Sequence, residues 1–507
     1  MSVSSAQHSD SELHKNLKEH RDVIIVGAGL SGIGAACHLA EKCSDRSYLL
    51  LESRVAMGGT WDLFRYPGIR SDSDMHTLGY SFKPWEGAKA IADGPSILDY
   101  VRETAAEHKV DQHIRYGHRL IAASWSSEQS LWTLEIRQSD SQQTVQMTCN
   151  FLYMCAGYYS YDKPHDPQFP EVASFKGKVV HPQFWPNDLD YQDKTVVIIG
   201  SGATAMTLVP AMAKKAKQVT MLQRSPTYVF SRPSEDWFAN SLRKILPATW
   251  AYAVTRVRNT LFQEFIFKLA RKHPAVAKRF LIHKLRKQLG ADYDVEKHFT
   301  PNYNPWEQRL CLVPDDDLFK AISSGSANIV TDHIERFTET GIELKSGQHL
   351  PADIVVSATG LELEVMGGAQ FSVDGQVVDF SKLTTYKGFM VSDVPNIVTT
   401  FGYVNASWTL RADLISEWVC RTLNHMRKTQ TSKVVPLVPE SLKDMSTKDW
   451  IADFPAGYLK RGMHLQPKQG NQAPWVNSQD FRSERALFNL PIDSDDALHF
   501  SAATNSE

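Results

Sequence analysis

Cysteine is scarce: Cys37, Cys43, Cys149, Cys155, Cys311 and Cys420 lie scattered over 507 residues with no CxxC and no metal-ligand spacing. That pattern excludes a zinc or iron–sulfur framework and predicts reduced thiols in a cytosolic setting rather than disulfides. No metal site is expected. Long apolar runs are also missing, and nothing approaches the roughly 18 uncharged residues of a membrane span. Neither charge sign dominates, since the net charge is −2, and with 42% hydrophobic residues a soluble globular protein is expected. Low-complexity tracts are absent. Residues 1–20 are polar and lack the apolar core of a secretory signal, so they are expected to form a loose tail. The polar, acidic segment 491–507 is expected to be disordered. The chain is too long for one core, and about three lobes is a fair expectation.

Against that background two glycine-rich turns stand out, GAGLSG at Gly27 to Gly32 and GSGATA at Gly200 to Ala205. Each follows a short apolar run, DVIIV (Asp22 to Val26) and then TVVII, and each opens a helix-compatible segment. This context marks dinucleotide sites. In the first turn, Gly27 makes the tight bend, Gly29 lets the backbone approach a pyrophosphate, and Gly32 allows close helix–strand packing, with Ser31 beside it. The apolar strand Tyr48 to Leu51 ends at Glu52, twenty residues beyond Gly32. A carboxylate there accepts hydrogen bonds from a ribose 2′-hydroxyl and repels a 2′-phosphate, which favours FAD or NAD. The second unit differs: Gly200, Ser201, Gly202, Ala203, Thr204, Ala205 and Met206 lead to a strand that ends in Gln223, Arg224 and Ser225, without an acid. Arginine offers the planar fork that a 2′-phosphate wants, so NADP is preferred there. Two dinucleotides in one chain suggest hydride transfer from nicotinamide to flavin. The missing redox cysteine pair removes the disulfide reductases.

Between the units lies GGTWDLFRYPGIRSDSD, Gly58 to Asp74, too polar for a core and too aromatic for a linker. Its Thr60, Trp61, Asp62, Leu63, Arg70, Ser71 and Asp72 are candidate flavin contacts. Farther on, FKGKVVHPQFWP (Phe175 to Pro186) matches FxGxxxHxxxWP at every defined position. With GTWxxxxYPGxxxD ending at Asp72, this string resembles the fingerprint of type I Baeyer–Villiger monooxygenases. His181 in it invites a general-base role, but on an interdomain linker it more plausibly fixes domain orientation.

The resemblance runs from Asp22 to about Arg482 and implies an α/β fold of two Rossmann-like dinucleotide-binding domains with a helical insertion in the second. The expected boundaries are 21–160 for the first part of the FAD domain, 161–350 for the NADP domain with the insertion at about 235–300, and 351–490 for a return to the FAD domain and a C-terminal wrap. It further implies a backbone contact from Leu120 to the flavin's adenine and an essential arginine, Arg309, over the flavin, oriented by Asp72. The family's lysine before that arginine is Gln308 here, which shifts phosphate binding toward Arg224. The chemistry implied is NADPH reducing FAD and a C4a-peroxyflavin that converts small-molecule ketones to esters or lactones and oxidises thioethers or thioamides. Alternatives are a flavin N- or S-monooxygenase with little ketone activity, and a non-catalytic, membrane-docked flavoprotein.

Trp237 to Gly290 carries a dozen lysines and arginines against one acid, Glu264, in amphipathic runs. A cap over the substrate entrance is what the resemblance implies; contact with an anionic membrane surface is what composition permits. Nucleic acid is not expected, because no recognised binding module accompanies the charge.

Overall fold

The computed structural model describes residues 18–308, 310–452 and 457–502. The first sheet starts with β1 (Glu19–Val26), whose last four residues, Val23 to Val26, are buried as an uninterrupted apolar run. Such a run suits a parallel strand covered on both faces. After the glycine turn comes α1 (Leu30–Lys42), and β2 (Tyr48–Leu51) then pairs parallel to β1 with Ile24 opposite Leu49. Helix α2 (Gly94–Glu107) is capped by Asp93, whose side chain accepts from the Ser96 N–H. Then β3 (Ile114–Arg115), β4 (His118–Ser126), β5 (Leu131–Gln138) and β6 (Thr144–Met154) complete the first pass; β4, β5 and β6 form an antiparallel meander, and β6 also lies parallel to β1.

The second lobe has its own parallel sheet. It is built from β7 (Lys178–Val180), β8 (Thr195–Ile199), β9 (Gln218–Gln223), β10 (Ala327–Thr331) and β11 (Ile354–Ser357), in the spatial order β10-β9-β8-β11-β7. Helix α3 (Ala203–Met212) follows the second glycine turn. Strand β11 was expected in the returning segment after residue 350, yet it pairs with both β7 and β8. The second lobe therefore extends past the expected boundary; a run buried on both faces does not encode which sheet it joins.

The insertion consists of α4 (Trp237–Leu242), α5 (Ala248–Lys272) and α6 (Pro274–Leu289). Pro247 precedes α5 and Pro274 opens α6, positions where a missing N–H costs nothing. Helix α7 (Asp317–Ser323) packs on α3. Beyond β11, β12 (Gln370–Val373) joins β4, β13 (Gln376–Val377) extends that edge, and β14 (Ile397–Thr399) joins β6, so the chain does return to the first sheet. The long α8 (Trp408–Thr429) then packs against α1.

Both expected tails need correction. Glu19 and His20 already belong to β1, paired with β6. At the other end β16 (Leu498–Ser501) pairs antiparallel with β15 (Lys433–Pro436), and Ile492, Ala497 and Leu498 are buried in the first lobe's core. Three apolar side chains in an acidic stretch suffice once a partner strand covers them. Residues 1–17 and 503–507 lie outside the described residues.

Candidate active site

One cavity of about 640 Å³ runs between the lobes. At one end it is lined by Gly27, Gly29 and Ser31 of the first glycine turn and by Glu52; at the other by Ala203, Thr204 and Thr207 of α3. Both helices start at a glycine, Gly29 or Gly202, with no side chain capping the first turn. Their leading N–H groups and positive dipole ends therefore lie at the cleft with no side-chain cap among the described residues, the arrangement that accepts a pyrophosphate. At Gly202 an added Cβ would meet nothing within 4 Å, so the protein itself does not require glycine there. A ligand lying against the backbone would, and the residues present fit two dinucleotides.

Glu52 is buried, and its carboxylate accepts from the N–H of Ala28 at 2.8 Å and of Arg54 at 2.9 Å. Burial pushes its pKa above the usual carboxylate range, and those two N–H groups oppose the shift. Ser31 accepts from the Trp408 indole N–H at 2.7 Å, which ties α1 to the start of α8. Thr60 and Tyr159 share a hydroxyl hydrogen bond of 2.7 Å, and Trp61 and Leu120 also line the cavity.

The remaining residues expected from the loop divide. Arg70, Ser71 and Asp72 line the cavity, but Arg70 is also ion-paired with Asp317 at the head of α7, 2.5 Å away, so it joins the two lobes. Asp62 and Leu63 are not in the lining. Asp62 is buried and ion-paired to Arg54 at 2.7 Å, with Arg65 and Arg102 nearby, so it anchors the loop. Ala205 and Met206 are likewise turned into the second lobe's core. Gly32, Gly200, Ser201 and Gly202 belong to the two turns next to the residues that line the cavity. Ser201 donates from Oγ to the Ser225 carbonyl at 3.1 Å. Arg309 lies outside the described residues; its neighbour Gln308 lines the cavity.

His181 also lines the cavity, at the end of β7. Its Nδ1 accepts from the Gln183 N–H at 3.2 Å, which places the proton of the neutral ring on Nε2. Burial, the largest influence, lowers its pKa, against an opposing hydrogen bond to the Gly360 backbone. At neutral pH the ring is uncharged and held in place.

Three features escaped the sequence reading. Asp74 is buried and receives hydrogen bonds from Asn259 at 2.9 Å and Gln263 at 2.6 Å, both on α5, so it fastens the insertion over the cavity. The serine–aspartate repetition after Ile69 was the available signal. Glu364 lines the cavity with its pKa raised by burial, an effect that Arg119 opposes. Finally, Arg461 donates to the Leu361 carbonyl at 3.3 Å, and its pKa is lowered first by burial, with repulsion from Arg224 adding to it. Two cations thus stand near one another beside the second glycine turn.

The Flavin-binding monooxygenase-like family model matches residues 88–436, and an NAD(P)-binding Rossmann-like model matches residues 25–91. The chain belongs to the flavin-binding monooxygenase family. As a family member it is a flavin-dependent monooxygenase, and its relatives extend over nearly all of its length. It is 50% identical over 486 residues to the FAD-containing monooxygenase EthA of Mycobacterium tuberculosis, covering 96% of this chain and 98% of that one. It is 48% identical over 492 residues to the probable FAD-binding monooxygenase AlmA of Acinetobacter baylyi, covering 97% and 98%. Among solved structures, a steroid monooxygenase bound to NADP shares the fold with a TM-score of 0.76 at 21% identity, over 95% of this chain and 100% of that one. Cyclohexanone monooxygenase does so with a TM-score of 0.76 at 17% identity, over 96% and 100%.

Proposed function

We propose that this flavin monooxygenase is of the Baeyer–Villiger type: it uses FAD, NADPH and dioxygen to insert one oxygen beside a ketone carbonyl, giving an ester or lactone, and it oxidises thioethers and thioamides to S-oxides. The observation that carries this reading is a cavity whose lining joins the first glycine turn, Asp72 and the head of α3. The names of the steroid and cyclohexanone monooxygenases support ketones as the substrate class. Reduced by NADPH, bound FAD supplies the activation of dioxygen. The chain's residues bind, orient and exclude water. The N–H groups that open α1 and α3 hold the two pyrophosphates. The lone pairs that Glu52 does not spend on Ala28 and Arg54 serve a ribose hydroxyl.

The exposed Arg224, with Ser225 and Arg461 beside it, takes the 2′-phosphate. No carboxylate ends β9 to repel it, because Gln223 is buried and donates to the His298 carbonyl at 2.8 Å. Replacing Arg224 with alanine removes charge-assisted hydrogen bonds worth about 1.5–3 kcal/mol. Initial-rate measurements will show the KM for NADPH rising roughly 10- to 100-fold, with the KM for NADH unchanged.

Arg309 stabilises negative charge as it develops on the reacting oxygens, and Asp72 orients it. Arg309→Ala will keep flavin reduction by NADPH while ester formation falls by roughly 10²–10³. Ester formation near the wild-type rate removes Arg309 from the reaction. His181, neutral and fixed between lobes, is a positioning residue. We place the enzyme in the cytoplasm, which six buried cysteine thiols support. The membrane contact that composition permits concerns the insertion.

A further inference from the structure

Helix α5 is built inside out. Its polar and small residues face the protein: Tyr252 donates to the Tyr80 carbonyl at 2.9 Å, Arg256 to the Gly79 carbonyl at 2.8 Å, and Asn259 and Gln263 to Asp74. Its large apolar residues face solvent. Trp250, Val254, Val257, Leu261, Phe265 and Leu269 recur at the three- and four-residue steps of one helical stripe and are all exposed, Trp250 by 67% and Phe265 by 60%. Ile245, just after α4, is 79% exposed and Trp237, opening it, 77%; Phe280 on α6 continues the same character. Of the 20 exposed large hydrophobic residues among those described, 12 fall between positions 237 and 280. An apolar surface this concentrated marks an interaction site.

Charge decides what covers it. Residues 237–290 hold 12 lysines and arginines and one acid, and Lys244, Arg271, Lys272, Arg279, Lys284 and Lys287 are exposed around the stripe. A second copy packed on the same face would set cations against cations. An anionic bilayer meets both needs: acyl chains for the stripe and headgroups for its rim. No helix among the described residues is long and apolar enough to cross a membrane, so the contact lies in the interfacial plane. The adjoining face of α5 leads inward, because Phe262, 62% exposed, also lines the cavity with Ile266 and Phe267.

We propose that the solvent face of α5, with the neighbouring parts of α4 and α6, docks on an anionic lipid bilayer and brings the cavity mouth to the membrane, so that apolar substrate enters from the lipid. The second half of this inference rests on the reaction proposed above; the docking itself does not.

The test uses the full-length FAD-loaded protein and sedimentation with vesicles of equal phosphatidylcholine and phosphatidylglycerol, or of phosphatidylcholine alone. The expected result is strong binding to the anionic vesicles, release by salt, and weak binding to the neutral ones. Trp250→Ser/Leu261→Ser/Phe265→Ser will weaken binding more than tenfold while keeping bound flavin and the rate on a small water-soluble ketone. Arg271→Glu/Lys272→Glu, which leaves the apolar stripe intact, will also lose anionic-vesicle binding. Failure of the wild-type protein to sediment with anionic vesicles overturns the proposal. So does a wild-type dimer in solution that the triple variant converts to monomers, since a second copy would then own the face. Vesicle binding by a preparation that oxidises no ketone supports the docking and refutes the reaction.

Discussion

Gly32→Ala will purify without its flavin. A Cβ at position 32 would lie 1.8 Å from the Gly27 carbonyl oxygen and 3.0 Å from its carbon, both main-chain atoms that cannot rotate aside. The head of α1 must then move away from β1, and with it the uncapped N–H groups that hold the pyrophosphate. Overpacking of this kind costs about 1–3 kcal/mol or more, enough to weaken flavin binding roughly 10- to 100-fold. The absorbance of bound FAD per protein after gel filtration measures it. Gly202→Ala is the contrast. With nothing near its added Cβ, the second lobe keeps its structure and the variant keeps its flavin, but the methyl group occupies space against the second pyrophosphate, so NADPH binding weakens. Flavin retained in both variants would show that the two turns do not act as separate sites.

Arg411→Ala will be the most destabilising single change away from the glycine turns. Arg411 on α8 is fully buried and paired with Glu484, donating from Nε at 2.8 Å and from Nη2 at 3.0 Å. Its guanidinium also donates to Asn477 and to the carbonyls of Phe401 and Lys387. Phe401 belongs to the cavity wall, and Glu484 to α9 (Phe481–Phe488), so one side chain binds the C-terminal wrap to the site. Removing one partner of a buried pair leaves the other charge stranded, at a cost of about 3–5 kcal/mol. Thermal unfolding followed by flavin release will show it. Arg411→Met/Glu484→Leu, which removes both charges, will recover most of the loss, whereas equal loss in single and double variants would assign the effect to packing rather than to the stranded carboxylate.

These two cases also mark what was legible in the sequence. The glycine turns are local: spacing, the preceding apolar run and the acid at Glu52 all lie within one supersecondary unit, and Gly27, Gly29 and Glu52 line the cavity, as Ala203 and Thr204 do after the second turn. Arg411 and Glu484 are 73 positions apart and carry no shared local signal. The same holds for Asp74 and its α5 partners, and for β11, whose apolar run fits either sheet. In the loop from Gly58 to Asp74, the ion pair between Arg54 and Asp62, in the one-turn helix Thr60–Leu63, carried no sequence signal. On α5, periodicity revealed two faces without revealing which one meets the protein; only the acceptors on the first lobe, Asp74 and the Gly79 carbonyl, decide that the polar face turns inward. The wrap's last strand was invisible because its apolar content is low until β15 lies beside it.

The proposed reaction is oxygen insertion beside a ketone carbonyl driven by NADPH. The direct measurement is to incubate the FAD-loaded protein with an aryl ketone, NADPH and ¹⁸O₂ and to weigh the product by mass spectrometry, with NADH in a parallel reaction. The expected product is an ester carrying one ¹⁸O atom, formed with NADPH and far less with NADH. NADPH consumption that turns O2 into hydrogen peroxide and leaves the ketone unchanged, alongside an S-oxide from a thioether, would contradict it and identify a sulfur monooxygenase instead.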